Sequence, residues 1–405
     1  MQLPWVYSQF ASGIVYNICM LDIQTDKLAD NIQEKVFFNF NQYYQDLLEA
    51  IAHAQQSINL ETYIFKCDKL GEQIIAVLIS AAQRNVEIRV LVDGAGTSIW
   101  SGPLVNKLEQ AGVKTRIYHP FPWRLWHWSR SLVRMPGLSK WVYFFLNINT
   151  RNHRKVCIID NKIVYIGSAN ISACHLSEQE GGEGWRDTIV KLSQVNCTDL
   201  LNAFNYAWDN LPLQERIQEF IEPINSNLRF RMNTTRHRRR VLYKDLLHRL
   251  SQCKQRIWIT NAYFVPDNIL LKNLIERAGK GVDVRILLPQ KSDVLIMPWA
   301  TCTFYERLLK AGVRIFEYLP SMLHAKTLIL DDWFIVGSSN LNHRSLLHDL
   351  EVDVCISSPE CKQALIQQFL IDLSYSREVQ FEYWYKRSFW QRLIGRLVLY
   401  IEYWI

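Results

Sequence analysis

Two stretches of the chain carry the residues best suited to chemistry. One reads NHRKVCIIDNKIVYIGSAN and supplies His153, Lys155 and Asp160, then Gly167, Ser168 and Asn170. The other reads LHAKTLILDDWFIVGSSN and supplies His324, Lys326 and Asp331, then Gly337, Ser338 and Asn340. Both are H-x-K-x4-D followed by G-S-x-N. A single H-x-K strand is a weak signal, because His and Lys are common on exposed strands. Duplication with the same tail changes that, since the coincidence would have to occur twice. Two lysines and two asparagines can cradle a phosphate without a metal, and Ser168 and Ser338 offer further donors to its oxygens. Residues two apart on a strand share a face, so His153 and Lys155 point one way and Asp160, of opposite parity, points the other. The same parity separates His324 and Lys326 from Asp331. If the His–Lys face meets a pocket, each aspartate braces the turn after its strand. Gly167 and Gly337 allow a close backbone approach.

The elements that position these residues are themselves repeated. The segment YQDLLEAIAHAQQSINLETYIF from Tyr44 matches YKDLLHRLSQCKQRIWITNAYFV from Tyr243: an amphipathic helix, a polar turn, then a β-rich run. AAQRNVEIRVLVDG answers RAGKGVDVRILLPQ, and LEQAGVKTRIYHP answers LLKAGVRIFEYLP. Helices alternating with buried strands predict an α/β layered fold made of two similar halves. Tyr63 and Tyr263 are offset by 200 but His153 and His324 by 171, so the first half carries 29 extra residues between about 121 and 151. In that insertion Trp123, Trp126, Trp128 and Trp141 alternate with Arg124, Arg130, Arg134 and Lys140, a pattern suited to a lipid headgroup zone. A packed surface hairpin with its tryptophans in the core is the plainer alternative.

Composition bounds the rest. With 405 residues, 49% of them hydrophobic, the chain can bury two domain-sized cores, which excludes a disordered or disulfide-stapled scaffold. The net charge of +7 permits a polyanion or an anionic membrane surface as partner without selecting either. Nine scattered cysteines without C-x-x-C or zinc spacing read as buried thiols in a reducing compartment. Residues 1–21 lack charge, yet their polar residues favour a segment lying on a surface or partly packed over a membrane span. The last 25 residues, FEYWYKRSFWQRLIGRLVLYIEYWI, read as a membrane-surface helix, and RHRRR at 236–240 as a solvated linker. The expected organisation is an N-terminal segment (1–35), a first half (36–215), a linker (216–240), a second half (241–375) and a tail (376–405).

The twin motifs resemble those of the phospholipase D superfamily, over about residues 36 to 355. LETYIF, NAYFVPD and the AGV segments make the chain most similar to bacterial cardiolipin synthases of the shorter type. The resemblance implies two α/β sandwich halves related by pseudo-twofold symmetry around one active site, with no cofactor and no metal. It places His, Lys and Asp of each motif in the catalytic set, so for Asp160 and Asp331 it stands against the parity argument. One departure is that six residues separate Asp160 from Gly167 but five separate Asp331 from Gly337, which puts the placement of Asn340 in question.

By the same resemblance His153 is the nucleophile that forms a phosphohistidine, and His324 protonates the departing alcohol, then deprotonates the acceptor. Such a pair predicts a bell-shaped pH profile. The family places an acid after each motif to orient a histidine; the matching positions are Asp187 in GWRDTIV and Glu351 in HDLEVDV. His175, His343 and His348 have no duplicate and are expected to be loop residues. The implied reaction transfers a phosphatidyl group from phosphatidylglycerol to a second phospholipid, giving cardiolipin and glycerol. The acceptor is left open between phosphatidylglycerol, phosphatidylethanolamine and a small alcohol. A peripheral position on the cytoplasmic face of a bacterial inner membrane follows. A lipid hydrolase, another phosphatidyltransferase, a superfamily nuclease and a decayed lipid-binding scaffold are the alternatives. Nucleic acid is not an expected partner, because the excess charge is small and the aromatics cluster with apolar stretches.

Overall fold

The computed structural model describes residues 32–97, 102–131, 139–142, 150–209 and 229–381, and those from Gln33 onward belong to one compact unit. Residues 1–31 and 382–405, and much of the insertion and linker, lie outside the described residues. The expectations about a membrane-contacting N-terminus and an aromatic tail therefore fall outside the description too.

Two sheets carry the described strands. The first contains β1 (Gln33–Phe37), β2 (Ser57–Thr62), β3 (Glu87–Asp93), β4 (Lys114–Tyr118), β5 (Val156–Ile159), β6 (Ile163–Gly167) and β7 (Ile189–Ser193), in the order β1-β7-β6-β5-β2-β3-β4. The second contains β8 (Phe230–Met232), β9 (Arg256–Thr260), β10 (Asp283–Pro289), β11 (Arg314–Tyr318), β12 (Thr327–Leu330), β13 (Trp333–Gly337), β14 (Val352–Ile356) and β15 (Ser376–Glu378). Its order, β8-β14-β13-β12-β9-β10-β11-β15, repeats that of the first with one strand added at the edge. The trio β2-β3-β4 of the first sheet and β9-β10-β11 of the second are parallel, and the motif hairpin joins each antiparallel.

Sequence periodicity explains the layers. In the helix Phe40–His53, capped by Asn39 accepting from the Gln42 N–H, the buried residues Phe40, Tyr44, Leu47 and Ile51 form one stripe. That stripe meets Ile58 and Leu60 of β2 in the first core. Leu246, Leu250, Ile257 and Ile259 build the equivalent layer of the second half. Across the sheet, Leu91 and Tyr118 pack against Phe204 and Trp208 of the helix Thr198–Asp209 and against Leu350, a residue of the other half. The inner side of β2 is polar instead. Glu61 accepts from Asn152 Nδ2 at 2.5 Å and faces Arg154 Nη1 at 3.7 Å, all three buried between the halves.

Three boundaries differ from the sequence reading. RHRRR is not a linker: Thr235 accepts from the Arg238 N–H and caps the helix Arg236–Gln252, whose Arg239 is buried with Nε donating to the Asn233 carbonyl. The second sheet starts before the expected linker ends, because β8 pairs with β14. The expected tail begins inside the sheet, because β15 pairs with β11. Within the insertion, Trp128 is buried and its Nε1 donates to the Phe121 carbonyl, whereas Trp123 and Trp141 are 54% and 44% exposed. Arg130 is held by Glu109. No helix among the described residues is long and apolar enough to cross a membrane.

Candidate active site

Each motif histidine is set by backbone pairing to the opposite half. Asn152 forms a parallel bridge with Leu350, and Arg186 forms one with Leu323. Through them the His153 N–H donates to the Leu350 carbonyl at 2.9 Å, and the His324 N–H to the Arg186 carbonyl at 2.8 Å. Each histidine thus lies beside the residue that follows its bridge partner. His153 Nδ1 meets both carboxylate oxygens of Glu351 at 3.0 Å, and His324 Nδ1 meets Asp187 Oδ1 at 2.8 Å. The acid in each pair belongs to the other half. Both imidazoles line one cleft of about 520 Å³, together with Asn170, Asn340, Tyr63, Tyr263 and Arg344. With Nδ1 engaged by a carboxylate, Nε2 is the nitrogen left for substrate.

The remaining motif residues divide by layer. Lys155 and Lys326 are buried one layer behind the cleft. Each Nζ donates to the carbonyl of its own histidine at 2.5 Å and stands over the ring of Tyr63 or Tyr263. Asn170 Oδ1 accepts from the Ile64 N–H at 3.3 Å, whereas Asn340 Oδ1 is buried without a protein partner. Asp160 accepts the backbone N–H groups of Gln55, Gln56 and Ser57. Asp331 accepts those of Lys254, Gln255 and Arg256 in the same way. Both aspartates sit at positive φ, 50° and 49°, at the far end of the strand from the histidine. This is the bracing position strand parity predicts, and it separates the two aspartates from the cleft.

Three expectations change. Ser168 and Ser338 do not face a phosphate: both are fully buried, Ser168 bonded to the Thr188 carbonyl and Ser338 to Glu351 Oε2 and the Val352 carbonyl. The one-residue difference in motif spacing does not displace Asn340 either. The hairpin turn absorbs it, since Ile159 pairs with Ile163 but Leu330 with Trp333. His175, expected to be a loop residue, is buried with Nδ1 2.6 Å from Asp187 Oδ2. It does have a counterpart of different type, Ser345, which bonds Glu351 Oε1 at 2.5 Å. Both stand five residues after the motif asparagine, and a comparison restricted to identical residues passes over them. His343 opens the short helix His343–Leu347 and His348 stands at its C-terminal cap.

Burial dominates the electrostatics of the open cleft. It pushes the Lys155 ammonium well below its usual range and Lys326 down to about 8. Burial, then the neighbouring lysine charge, pushes both His153 and His324 below 6.5. Glu351 is raised by burial to about 7 despite the opposing charge of Lys155. Asp187 goes the other way: burial would raise it, but His175 and His324 hold it well below 3.8. A phosphodiester anion in the cleft favours the charged forms of the lysines and histidines. Among the described residues no group of three His, Cys, Asp or Glu is placed to hold a metal ion.

A family model for the PLD-like domain of cardiolipin synthase matches residues 47–183 and again 246–373. A cardiolipin synthase of Clostridium perfringens (strain SM101 / Type A) is 31% identical over 371 residues, covering 88% of this chain and 74% of the relative. Cardiolipin synthase B of Escherichia coli (strain K12) is 34% identical over 338 residues, covering 81% and 77%. The crystal structure of phosphatidylserine synthase from Haemophilus influenzae Rd KW20 superposes with a TM-score of 0.62 at 14% identity, covering 91% of this chain and 92% of that one, a likeness of fold. Two copies of one α/β half, each lending an acid to the other's histidine, thus agree with the sequence relatives: the chain belongs to the cardiolipin synthase family with PLD-like domains.

Proposed function

We propose that the chain is a phosphatidyltransferase that makes cardiolipin from phosphatidylglycerol. The observation that carries the reading is the pair of histidines, one from each half, each held at Nδ1 by a carboxylate and both lining one cleft. His153 Nε2 attacks the phosphorus of phosphatidylglycerol and forms an N–P bond. The P–O bond to glycerol breaks, and His324 gives its Nε2 proton to the departing oxygen. The hydroxyl of a second phospholipid then loses its proton to His324 and attacks phosphorus, which releases His153 and closes the cycle. Lys155 and Lys326 supply positive potential from behind, and the amides of Asn170 and Asn340 are available to the non-bridging oxygens. The membrane surface is the partner, and the exposed Trp123 and Trp141 suit a peripheral contact on the cytoplasmic side.

The test uses purified protein and His153→Ala with labelled phosphatidylglycerol in liposomes, with and without phosphatidylethanolamine. Cardiolipin and glycerol from the unchanged protein alone are expected. Phosphatidic acid as the only product would replace the transferase with a hydrolase. A rise in cardiolipin on adding phosphatidylethanolamine would make that lipid a substrate.

A further inference from the structure

Asp187 touches two imidazoles. One oxygen meets Nδ1 of His324 and the other meets Nδ1 of His175, whose ring centroid lies 6.1 Å from that of His324. The His175 ring is clamped by stacking on Phe40 at 5.0 Å and by the edge of Trp185 at 5.4 Å. Its Nε2 faces the Asn170 N–H at 3.2 Å. A backbone N–H can only donate, so Nε2 carries the lone pair and the ring proton sits on Nδ1, directed at Asp187. Burial opposes a second proton on His175 and the Asp187 charge favours one. The fixed donor at Nε2 opposes a second proton there, and the hydrogen bonds describe the neutral form.

In the other half the corresponding place is taken by a hydroxyl. The Asn340 N–H donates to Ser345 Oγ at 2.8 Å, and Ser345 Oγ donates to Glu351 Oε1 at 2.5 Å. Both halves give their histidine a carboxylate and place a third residue five positions after the motif asparagine against that carboxylate, so histidine in one half and serine in the other is an asymmetry within a shared arrangement. Resting on the reading above that His324 is the acid, we propose that His175 is a positioning residue for His324. It anchors the free oxygen of Asp187, and its replacement by Ser345 in the other half makes the two acid–histidine pairs unequal, one suited to giving a proton and the other to attack. Burial draws Glu351 toward the neutral form against the hydrogen bond from Ser345, whereas the two imidazoles hold Asp187 ionised against its burial.

Leaving-group chemistry tests this. Glycerol must be protonated as it departs, whereas p-nitrophenolate leaves as a stable anion and needs no acid. First-turnover release of each alcohol is measured for His175→Ser with phosphatidylglycerol and with phosphatidyl-p-nitrophenol in identical mixed micelles. The expected result is a loss of about 30-fold or more on the glycerol ester and less than about threefold on the aryl ester. Both rates come from one sample, so a misfolded fraction lowers both and leaves their ratio unchanged. His175→Asn, which keeps an N–H near the Nδ1 position, is expected to recover the glycerol-ester rate to within about fivefold. Equal loss on both esters, or no loss on either, overturns the proposal. His324→Ala separates the two levels: sparing of the aryl ester there with equal loss in His175→Ser refutes the role of His175 alone. Equal loss in His324→Ala refutes the acid assignment on which that role rests.

Discussion

At the scale of single residues, the site pairs groups whose protonation must differ at one pH. Glu351 can hold the Nδ1 proton of His153 only as a carboxylate, so activity rises as pH increases through its value of about 7. Lys326 helps to draw in a phosphodiester only as a cation, so activity falls as pH increases through about 8. Plotted against pH, kcat/KM is expected to be a narrow bell between these limbs, and a flat profile from pH 5 to 9 with chemistry rate-limiting would contradict it. The aspartates of the motifs are expected to respond differently from the histidines. Asp331→Ala forfeits three backbone N–H bonds and should cost about 1–3 kcal/mol in urea unfolding while kcat stays within about threefold. A hundredfold drop in kcat with unchanged stability would return Asp331 to the catalytic set. Strand parity pointed to this division, although both aspartates lie one residue past β5 and β12 at positive φ, where distance from the histidine removes them from the cleft. His175 was not legible in the same way, because its value comes from contact with Asp187 in space and its counterpart is a serine.

At the scale of elements, the repeat was readable wherever apolar periodicity marked a helix or a buried strand. It failed where a cap or an edge pairing decided the matter. RHRRR reads as a charged linker until Thr235 is recognised as the cap of a helix that buries Arg239. β15 is three residues long, too short to carry an alternating pattern, and exists because β11 offers it an edge. The motif glycines have an element-scale reason as well. A Cβ on Gly167 would run into the Thr188 carbonyl and approach Ile189 Cα at 2.8 Å, so this glycine lets β6 lie against β7 beside Asp187. Gly167→Ala should therefore lower stability by about 1–3 kcal/mol and disturb the Asp187–His324 pair together with it. Thermal unfolding with a parallel rate measurement checks this, and an unchanged melting temperature would refute it.

At the scale of the molecule, the aromatic insertion is divided between core and surface. Trp128 belongs to the packing of the first half, while Trp123 and Trp141, with ring centroids 6.1 Å apart, are left exposed. Replacing both with alanine should weaken binding to anionic vesicles by about 10- to 30-fold, taking on the order of 1 kcal/mol per indole. Trp128→Ala should instead lower stability and leave vesicle binding of the folded fraction unchanged. Sedimentation with vesicles distinguishes them, and equal binding by all three proteins would remove the insertion from the membrane contact. The exchange of acids between halves has a consequence for synthesis in the cell. His153 leaves the ribosome 198 residues ahead of the Glu351 that orients it, a delay of about 10–40 s at common elongation rates. Through that interval the growing chain exposes a histidine with no acid to aim it. A fragment released early beside a membrane is therefore unarmed, and lipid-cleaving capacity is switched on only when the last strands of the second sheet dock.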